Sequence, residues 1–224
     1  MKLLATVVVV ALPSVASAQT FFGPTAYLSA LDSPLTGAFS YFHLEDFEDN
    51  ALNSPGLTGL GGVVLLPGPF TDSVDADGDD MQIDGFGNSG NSYFSNGLAS
   101  SFEFAFDAGA LGALPTHVGL VWTDVGSAQT PGIDGVTFEA FDAGGLSLGT
   151  IGPVTLGDGL ANGGTAEDRF FGVEFLGGVS RMRISMASST DWEIDHVQYG
   201  LVPSPGAFGL LALGAVATLR RQRR

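Results

Sequence analysis

Short runs of alternating apolar and polar residues, separated by turn-forming residues, restrict the fold of this chain more than any other feature. In one run, Phe102, Phe104 and Phe106 occupy every second position, as in a strand that buries one face. In the next run, Val118, Leu120 and Trp122 do the same. No segment between the two chain ends has a convincing helical period. The pattern predicts an all-β domain, an antiparallel β-sandwich with the jelly-roll arrangement.

Nine strands are predicted between these turn signals. They cover residues 41–47, 61–66, 101–107, 118–122, 136–141, 146–151, 170–175, 179–186 and 192–199. The weakly patterned residues 19–40 predict an irregular lead-in, so the sandwich domain is expected over residues 41–200. Residues 71–91 and 153–166 predict long loops. The sequence from Asp142 to Gly145 predicts the turn of a hairpin.

The charge of the body excludes some partners. Residues 19–200 carry three arginines against all 24 acidic residues of the chain, a net charge of −21. Such a surface repels nucleic acid, so no nucleic-acid partner is expected, and it favours divalent cations. The chain has no cysteine. The predicted core must therefore hold the fold without disulfides, alone or with metal ions.

The N-terminus has the three parts of a secretory signal peptide. A positive start at Lys2 precedes an apolar run over residues 3–12, and Ala16, Ser17 and Ala18 form a small-residue cleavage site. We therefore expect a signal peptide over residues 1–18, cleavage after Ala18 and export of the body.

The C-terminus, residues 202–224, has the pattern of a membrane anchor. Val202 opens 18 residues without charge, near the lower limit for a bilayer-spanning helix, and four arginines follow within five residues. Terminal arginines favour the cytoplasmic side of the membrane. The tail predicts a transmembrane helix that anchors the body outside the cytoplasm.

This tail resembles the PEP-CTERM sorting tail of exported bacterial proteins, in which a Pro-x-Pro element precedes a short apolar span and an arginine cluster. The element is Val202-Pro203-Ser204-Pro205-Gly206 here, with Ser204 where the family usually has glutamate. It looks like the VPSPG variant of the tail. The resemblance implies an exosortase-type processing enzyme as partner. It also implies a location at the cell envelope before processing, and at the cell surface or outside the cell afterwards.

The body resembles that of many PEP-CTERM proteins. The likeness lies in a Val-Gly-Leu-Val-Trp strand, a Val-Thr-Phe-Glu-Ala-Phe-Asp hairpin, a Phe-Phe-Gly-Val-Glu-Phe strand and a closing Trp-Glu-Ile-Asp-His-Val strand. Such bodies are similar to the jelly rolls of carbohydrate-binding modules. In those modules a structural calcium often joins the first and last strands, which implies a site near Glu45, Asp46 or Glu48.

The acidic run of residues 75–80 is the sharpest local motif. Asp75, Asp77 and Asp79 match the first three ligands of an EF-hand loop, but Asp80 stands in place of its glycine and Phe86 in place of its glutamate. Two interpretations stay open: a calcium-binding loop that includes Asp80, and a solvated acidic loop. Glu193 and Asp195 form a second acidic pair on the last strand. Calcium is thus the cofactor that the sequence suggests.

The last strand also permits an enzymatic interpretation. Its Glu193 and Asp195 resemble the nucleophile strand of laminarinase-like glycoside hydrolases, which need two carboxyl groups about 5–5.5 Å apart. The position that matches the acid/base is Gln198, which cannot exchange a proton. We therefore expect no enzyme activity.

Three functions remain, in order of preference. The first is a structural or adhesive protein of the cell surface or extracellular matrix, associated with polysaccharide. The second is a carbohydrate-binding module whose exposed aromatic strip includes Trp192 or Tyr199. The third is the glycoside hydrolase.

Overall fold

The computed structural model describes residues 18–75, 89–123, 134–157, 166–187 and 189–203. Within these ranges the chain forms twelve β-strands, a 3₁₀ helix at Ala30–Asp32 and a one-turn α-helix at Ala108–Leu111. The strands are β1 (Gln19–Ala26), β2 (Tyr41–Glu45), β3 (Leu57–Leu60), β4 (Val63–Leu65), β5 (Ser92–Phe94), β6 (Ser101–Phe106), β7 (His117–Trp122), β8 (Asp134–Asp142), β9 (Ser147–Leu156), β10 (Arg169–Phe175), β11 (Val179–Met186) and β12 (Glu193–Leu201).

The strands form two antiparallel sheets. The seven-stranded sheet has the order β1-β10-β7-β12-β5-β4, with β2 also paired to β12. The five-stranded sheet has the order β3-β6-β11-β8-β9. The last strand, β12, contacts β7 along one side, while β5 and then β2 share its other side. It is therefore central to its sheet.

One apolar core lies between the inner faces of the two sheets, as in a sandwich. The predicted inward faces of β6 and β7 are confirmed, since Phe102, Phe104, Phe106, Val118, Leu120 and Trp122 are all buried in this core. The hairpin of β8 and β9 is confirmed as well. Its turn closes through a hydrogen bond from Gly145 N–H to the Asp142 carbonyl oxygen.

The prediction of an irregular lead-in over residues 19–40 is wrong at its start. Gln19–Ala26 is β1, the edge strand that pairs with β10. The sequence also misses β3 and β5, which are only four and three residues long. The predicted loop at residues 153–166 is wrong for its first residues, because β9 continues to Leu156.

A second apolar cluster covers the outer face of the seven-stranded sheet. It consists of Tyr27, Leu35, Val74, Val121 and Phe170. At Gly119 a side chain would meet the Phe170 ring, because an added Cβ atom would lie 2.2 Å from the nearest ring carbon. The glycine thus lets the Phe170 ring lie close against the strand. This sheet is covered on both faces here, and polar side chains on its outer face become buried.

The outer face of the five-stranded sheet binds two of the body's three arginines. Arg181 pairs with Glu103 and Arg183 pairs with Glu139. The Arg181 guanidinium lies 3.5 Å from the centroid of the Phe141 ring. These cations are therefore paired on the sheet opposite the one that buries β12.

Replacing Phe104 by alanine tests the assignment of the core. The ring is fully buried between the sheets, so truncation should lower the free energy of unfolding by about 3–5 kcal/mol. Phe70→Ala is the matched control, because Phe70 is 74 % exposed, and it should change stability by less than about 0.5 kcal/mol. Chemical denaturation measures both. Equal small losses would place Phe104 outside the core.

Candidate metal centre on the last strand

A β-bulge in β12 turns two consecutive side chains away from the core. The pairing of β12 with β7 shifts between Asp195 and Gln198, so that three steps along β12 match two along β7. Ile194 and Val197 consequently both lie in the core. His196 adopts a positive φ of 45° at this point, which is uncommon for a residue other than glycine. Glu193, Asp195, His196 and Gln198, here called the outer row, all lie on the covered outer face of the sheet.

The backbone of residues 71–75 satisfies the carboxylates of the outer row. Asp72 N–H donates to Glu193 Oε2 at 2.8 Å, and Val74 N–H donates to Asp195 Oδ2 at 3.0 Å. The Ser73 hydroxyl donates to the same Asp195 oxygen at 2.9 Å. Two carboxylates that alternate along a strand thus accept from two amides that alternate along the facing segment. This pattern fixes residues 71–75 against β12.

A chain of hydrogen bonds holds the His196 ring. Its Nε2 lies 3.1 Å from Asp75 Oδ2, and its Nδ1 lies 3.1 Å from the Tyr27 hydroxyl. That hydroxyl accepts from Gln198 Nε2 at 2.7 Å, so it can donate to Nδ1 while Nε2–H donates to Asp75. The Ser33 hydroxyl donates to the amide oxygen of Gln198. Both ring nitrogens of His196 thus have a partner, which stabilises its unusual backbone.

Burial changes the acidity of the outer row. Burial raises the pKa of Glu193 to about 8, against hydrogen bonds from Ser92 and Asp72 that lower it. Burial likewise raises the pKa of Asp195 to about 7, while the nearby His196 lowers it. For His196 burial disfavours the charged ring, but the charges of Asp195 and Asp75 raise its pKa above the usual value. All three groups bind protons more tightly than in the unfolded chain.

Asp75, Asp195 and His196 could together hold a metal ion. One ligand atom from each lies within 4.8 Å of the others. The set combines an imidazole nitrogen with two carboxylates, which suits zinc or manganese, whereas calcium takes oxygen ligands. Glu48 lies close by: burial and the charge of Asp75 raise its pKa, and its Oε1 accepts from Asn91 N–H.

Only two of the predicted metal-binding residues lie together in the candidate metal centre. Asp75 and Asp195, 120 positions apart in the sequence, are brought together. Glu193 is not one of the three, and its Oε2 accepts from the Ser92 hydroxyl and Asp72 N–H. Asp77, Asp79 and Asp80 lie outside the described residues, so calcium at the acidic loop stays a prediction. Glu45, expected near a calcium, accepts from three backbone amides, those of Phe47, Asn53 and Ser54.

His196 is the site residue that the sequence interpretation misses. Strict alternation would place its side chain on the core face of β12. The apolar residues, however, are Trp192, Ile194, Val197 and Tyr199, and the step of three between Ile194 and Val197 is the sequence signal of a bulge.

The predicted sugar contacts at Trp192 and Tyr199 are wrong. Both side chains are fully buried. Trp192 stacks on Phe102 with ring centroids 3.9 Å apart and donates its Nε1–H to Ala99 O. The Tyr199 hydroxyl donates to Pro55 O at 2.6 Å. Both residues alternate with the outer row and belong to the core face, so neither can contact a polysaccharide at the surface.

The predicted addressing segments lie largely outside the described residues. Ala18 is the first described residue, and Val202 and Pro203 are the last. Val202 N–H donates to the Thr116 hydroxyl at 2.9 Å, which fixes the chain where β12 ends. Ser204, Pro205 and Gly206 fall beyond the description. Within it, no helix is both long and apolar enough to span a bilayer.

Comparisons with protein-family models, curated proteins and solved structures found no match for this chain.

Stability should fall as pH rises in protein freed of metal by a chelator. The pKa of Glu193 goes from 4.5 to about 8 on folding, and that of Asp195 from 3.8 to about 7. The folded state therefore binds more protons between these values, so stability is highest below the unfolded pKa values and is lost as pH rises through the folded ones. The raised pKa of His196 acts in the same direction. Thermal unfolding in EDTA from pH 5 to pH 8 measures the slope of Tm against pH.

Glu193→Gln removes the contribution of Glu193 to the slope of Tm against pH. The amide imitates the protonated carboxyl and keeps an oxygen for Ser92 and Asp72, so the fall in Tm should become shallower. Asp107→Asn removes an exposed charge at the start of the helix Ala108–Leu111 and should leave the slope unchanged, because asparagine caps a helix as well as aspartate does. A wild-type Tm that rises from pH 5 to pH 8 would contradict the assigned shifts.

Proposed function

We propose that the chain is an exported structural or adhesive protein of the cell surface or extracellular matrix, and that it has no catalytic role. The signal-like N-terminus and the sorting-like tail support export, anchoring at the membrane and processing by an exosortase-type enzyme. Calcium at the acidic loop and association with extracellular polysaccharide belong to the same proposal.

One observation supports this function over the glycoside hydrolase: the acidic groups of the last strand serve the fold. Glu193 is 5 % exposed and Asp195 is fully buried. Both accept hydrogen bonds from residues 71–75, which attach that segment to β12. A glycosidase needs its nucleophile and its acid facing the substrate. Here the same carboxylates face residues 71–75 inside the protein and accept hydrogen bonds from them.

The connections between the two sheets point to a finer fold. Among the described strands from β6 to β12, the chain passes repeatedly between the two sheets, and only β8 and β9 are consecutive strands of the same sheet. This alternation is typical of a jelly roll, in which two antiparallel sheets are linked by crossing connections. We therefore propose a jelly roll for the body.

A carbohydrate-binding module remains the second proposal, but on a different surface. Trp192 and Tyr199 are in the core, so sugar would have to bind elsewhere. Sugar binding to the variant Trp192→Ala, if that variant is still folded, would agree with a surface away from this residue.

Gene deletion in the native host tests the leading proposal. The deletion strain should lose attachment or matrix cohesion, and the full-length protein should restore it. Glu193→Gln should restore it equally, because no chemistry depends on that carboxylate. Fractionation with mass spectrometry should find the body outside the cytoplasm with Gln19 as its first residue.

Three outcomes would contradict the proposal. One is recovery of an intact Met1 or of a cytoplasmic body. The second is unchanged cohesion after deletion. The third is release of reducing sugar from a β-glucan by the wild-type protein but not by folded Glu193→Gln, which would favour the hydrolase.

A further inference from the structure

A second group of buried acidic residues lies where β7 and β10 meet the 71–75 segment. Arg169 pairs with Trp122 in the register of these antiparallel strands. Continuing the register by one residue places Asp168 opposite Thr123. The Thr123 hydroxyl donates to the backbone oxygen of Asp72 at 2.8 Å. The backbone thus brings Asp72, Thr123 and Asp168 to one place, with Glu167 adjacent in sequence.

The carboxylate of Asp168 is buried without a partner in the described part of the chain. The residue is 1 % exposed, and neither carboxylate oxygen has a hydrogen-bond partner among the described residues. Asp72 and Glu167 are buried as well, and both lie close enough for their charges to act on Asp168. The neighbouring Arg169 guanidinium donates instead to the backbone oxygens of Ala166 and Asp168.

Such an arrangement is costly in a folded protein unless something else binds there. A buried charge without a partner is disfavoured by several kcal/mol or takes up a proton. Burial and then the charges of Glu167, Asp72 and Asp195 raise the pKa of Asp168 well above its usual value. A divalent cation would remove the same cost and leave the carboxylates ionised.

We propose that Asp168, together with Asp72 and Glu167, forms a calcium site. All three side chains offer oxygen only, the ligand type that calcium takes, and backbone carbonyls and water can fill the remaining positions. The three carboxylates do not all converge within 4.8 Å as Asp75, Asp195 and His196 do, so binding includes rotation of at least one side chain. The site is separate from that set and does not depend on the proposed function.

The two centres lie at opposite ends of one segment. Asp72 belongs to the calcium site and Asp75 to the histidine-containing set, while Ser73 and Val74 between them bind Asp195. A cation at Asp168 would therefore fix the start of residues 71–75 to β7 and β10. Calcium should raise the stability of the folded state for this reason.

Calorimetric titration of the full-length protein in detergent, after removal of metal, tests the proposal. Wild-type protein should bind calcium, and its Tm should rise more with calcium than with magnesium at equal concentration, because magnesium demands stricter geometry. Loss of a residue that merely orients a ligand already weakens metal binding about 10–100-fold. Asp168→Asn should therefore weaken calcium binding by at least about tenfold.

Two control variants make the test specific. Asp191→Asn removes one exposed charge, and His196→Asn alters the histidine-containing set without touching the acidic loop, since asparagine tolerates the positive φ at that position. Both should leave calcium affinity at the Asp168 site unchanged. If Asp168→Asn does not fold, Glu167→Gln replaces it, with a weakening of affinity expected in the same direction.

The proposal is overturned if the wild-type protein binds no calcium, or if calcium and magnesium raise its Tm equally. It is also overturned if the folded Asp168→Asn or Glu167→Gln variant keeps wild-type affinity. In that last case the buried carboxyl is simply protonated, and Asp168→Asn should then raise Tm at pH 8 without added metal.

Discussion

Burial of carboxylates on the covered face of a β-sheet is the constraint on which the rest of this structure depends. β12 is flanked by strands on both sides, so its backbone groups are largely used in the ladder. Its outer row must find partners above the sheet. The amides of residues 71–75 provide them for Glu193 and Asp195, and Tyr27 and Asp75 provide them for His196. Segments distant in the sequence are thereby fixed to the last strand.

Alternation in the sequence is enough to predict the interior between the sheets. Phe102, Phe104 and Phe106 lie where a period of two places them, because each inward position is apolar. The same rule fails where the strand bends. It does not place His196, since one additional residue in the bulge changes the face of every residue that follows. The sequence does not predict β1, because QTFFGPTA does not alternate and the pairing of β1 with β10 is a tertiary contact.

The candidate site could be predicted by residue type but not by geometry. The acidic character of Asp75 and Asp195 is visible in the sequence, whereas their approach depends on how residues 71–75 fold back over the sheet. Trp192 illustrates the opposite error. A tryptophan beside an aspartate suggests a surface residue, yet its alternation with Glu193 places it on the core face against Phe102. The sequence carries no signal that marks Asp168 as a site residue, because only the register with β7 reveals its burial.

Amide hydrogen exchange measured by NMR tests the central claim, that buried carboxylates of β12 fix residues 71–75. The amides of Asp72 and Val74 donate to Glu193 and Asp195 inside the protein. The amide of Gly144 also donates to a carboxylate, that of Asp142, but in an exposed turn. We expect Asp72 and Val74 to exchange as slowly as the amides of β12, and Gly144 to exchange orders of magnitude faster. Exchange of Asp72 and Val74 at the rate of Gly144 would contradict this account.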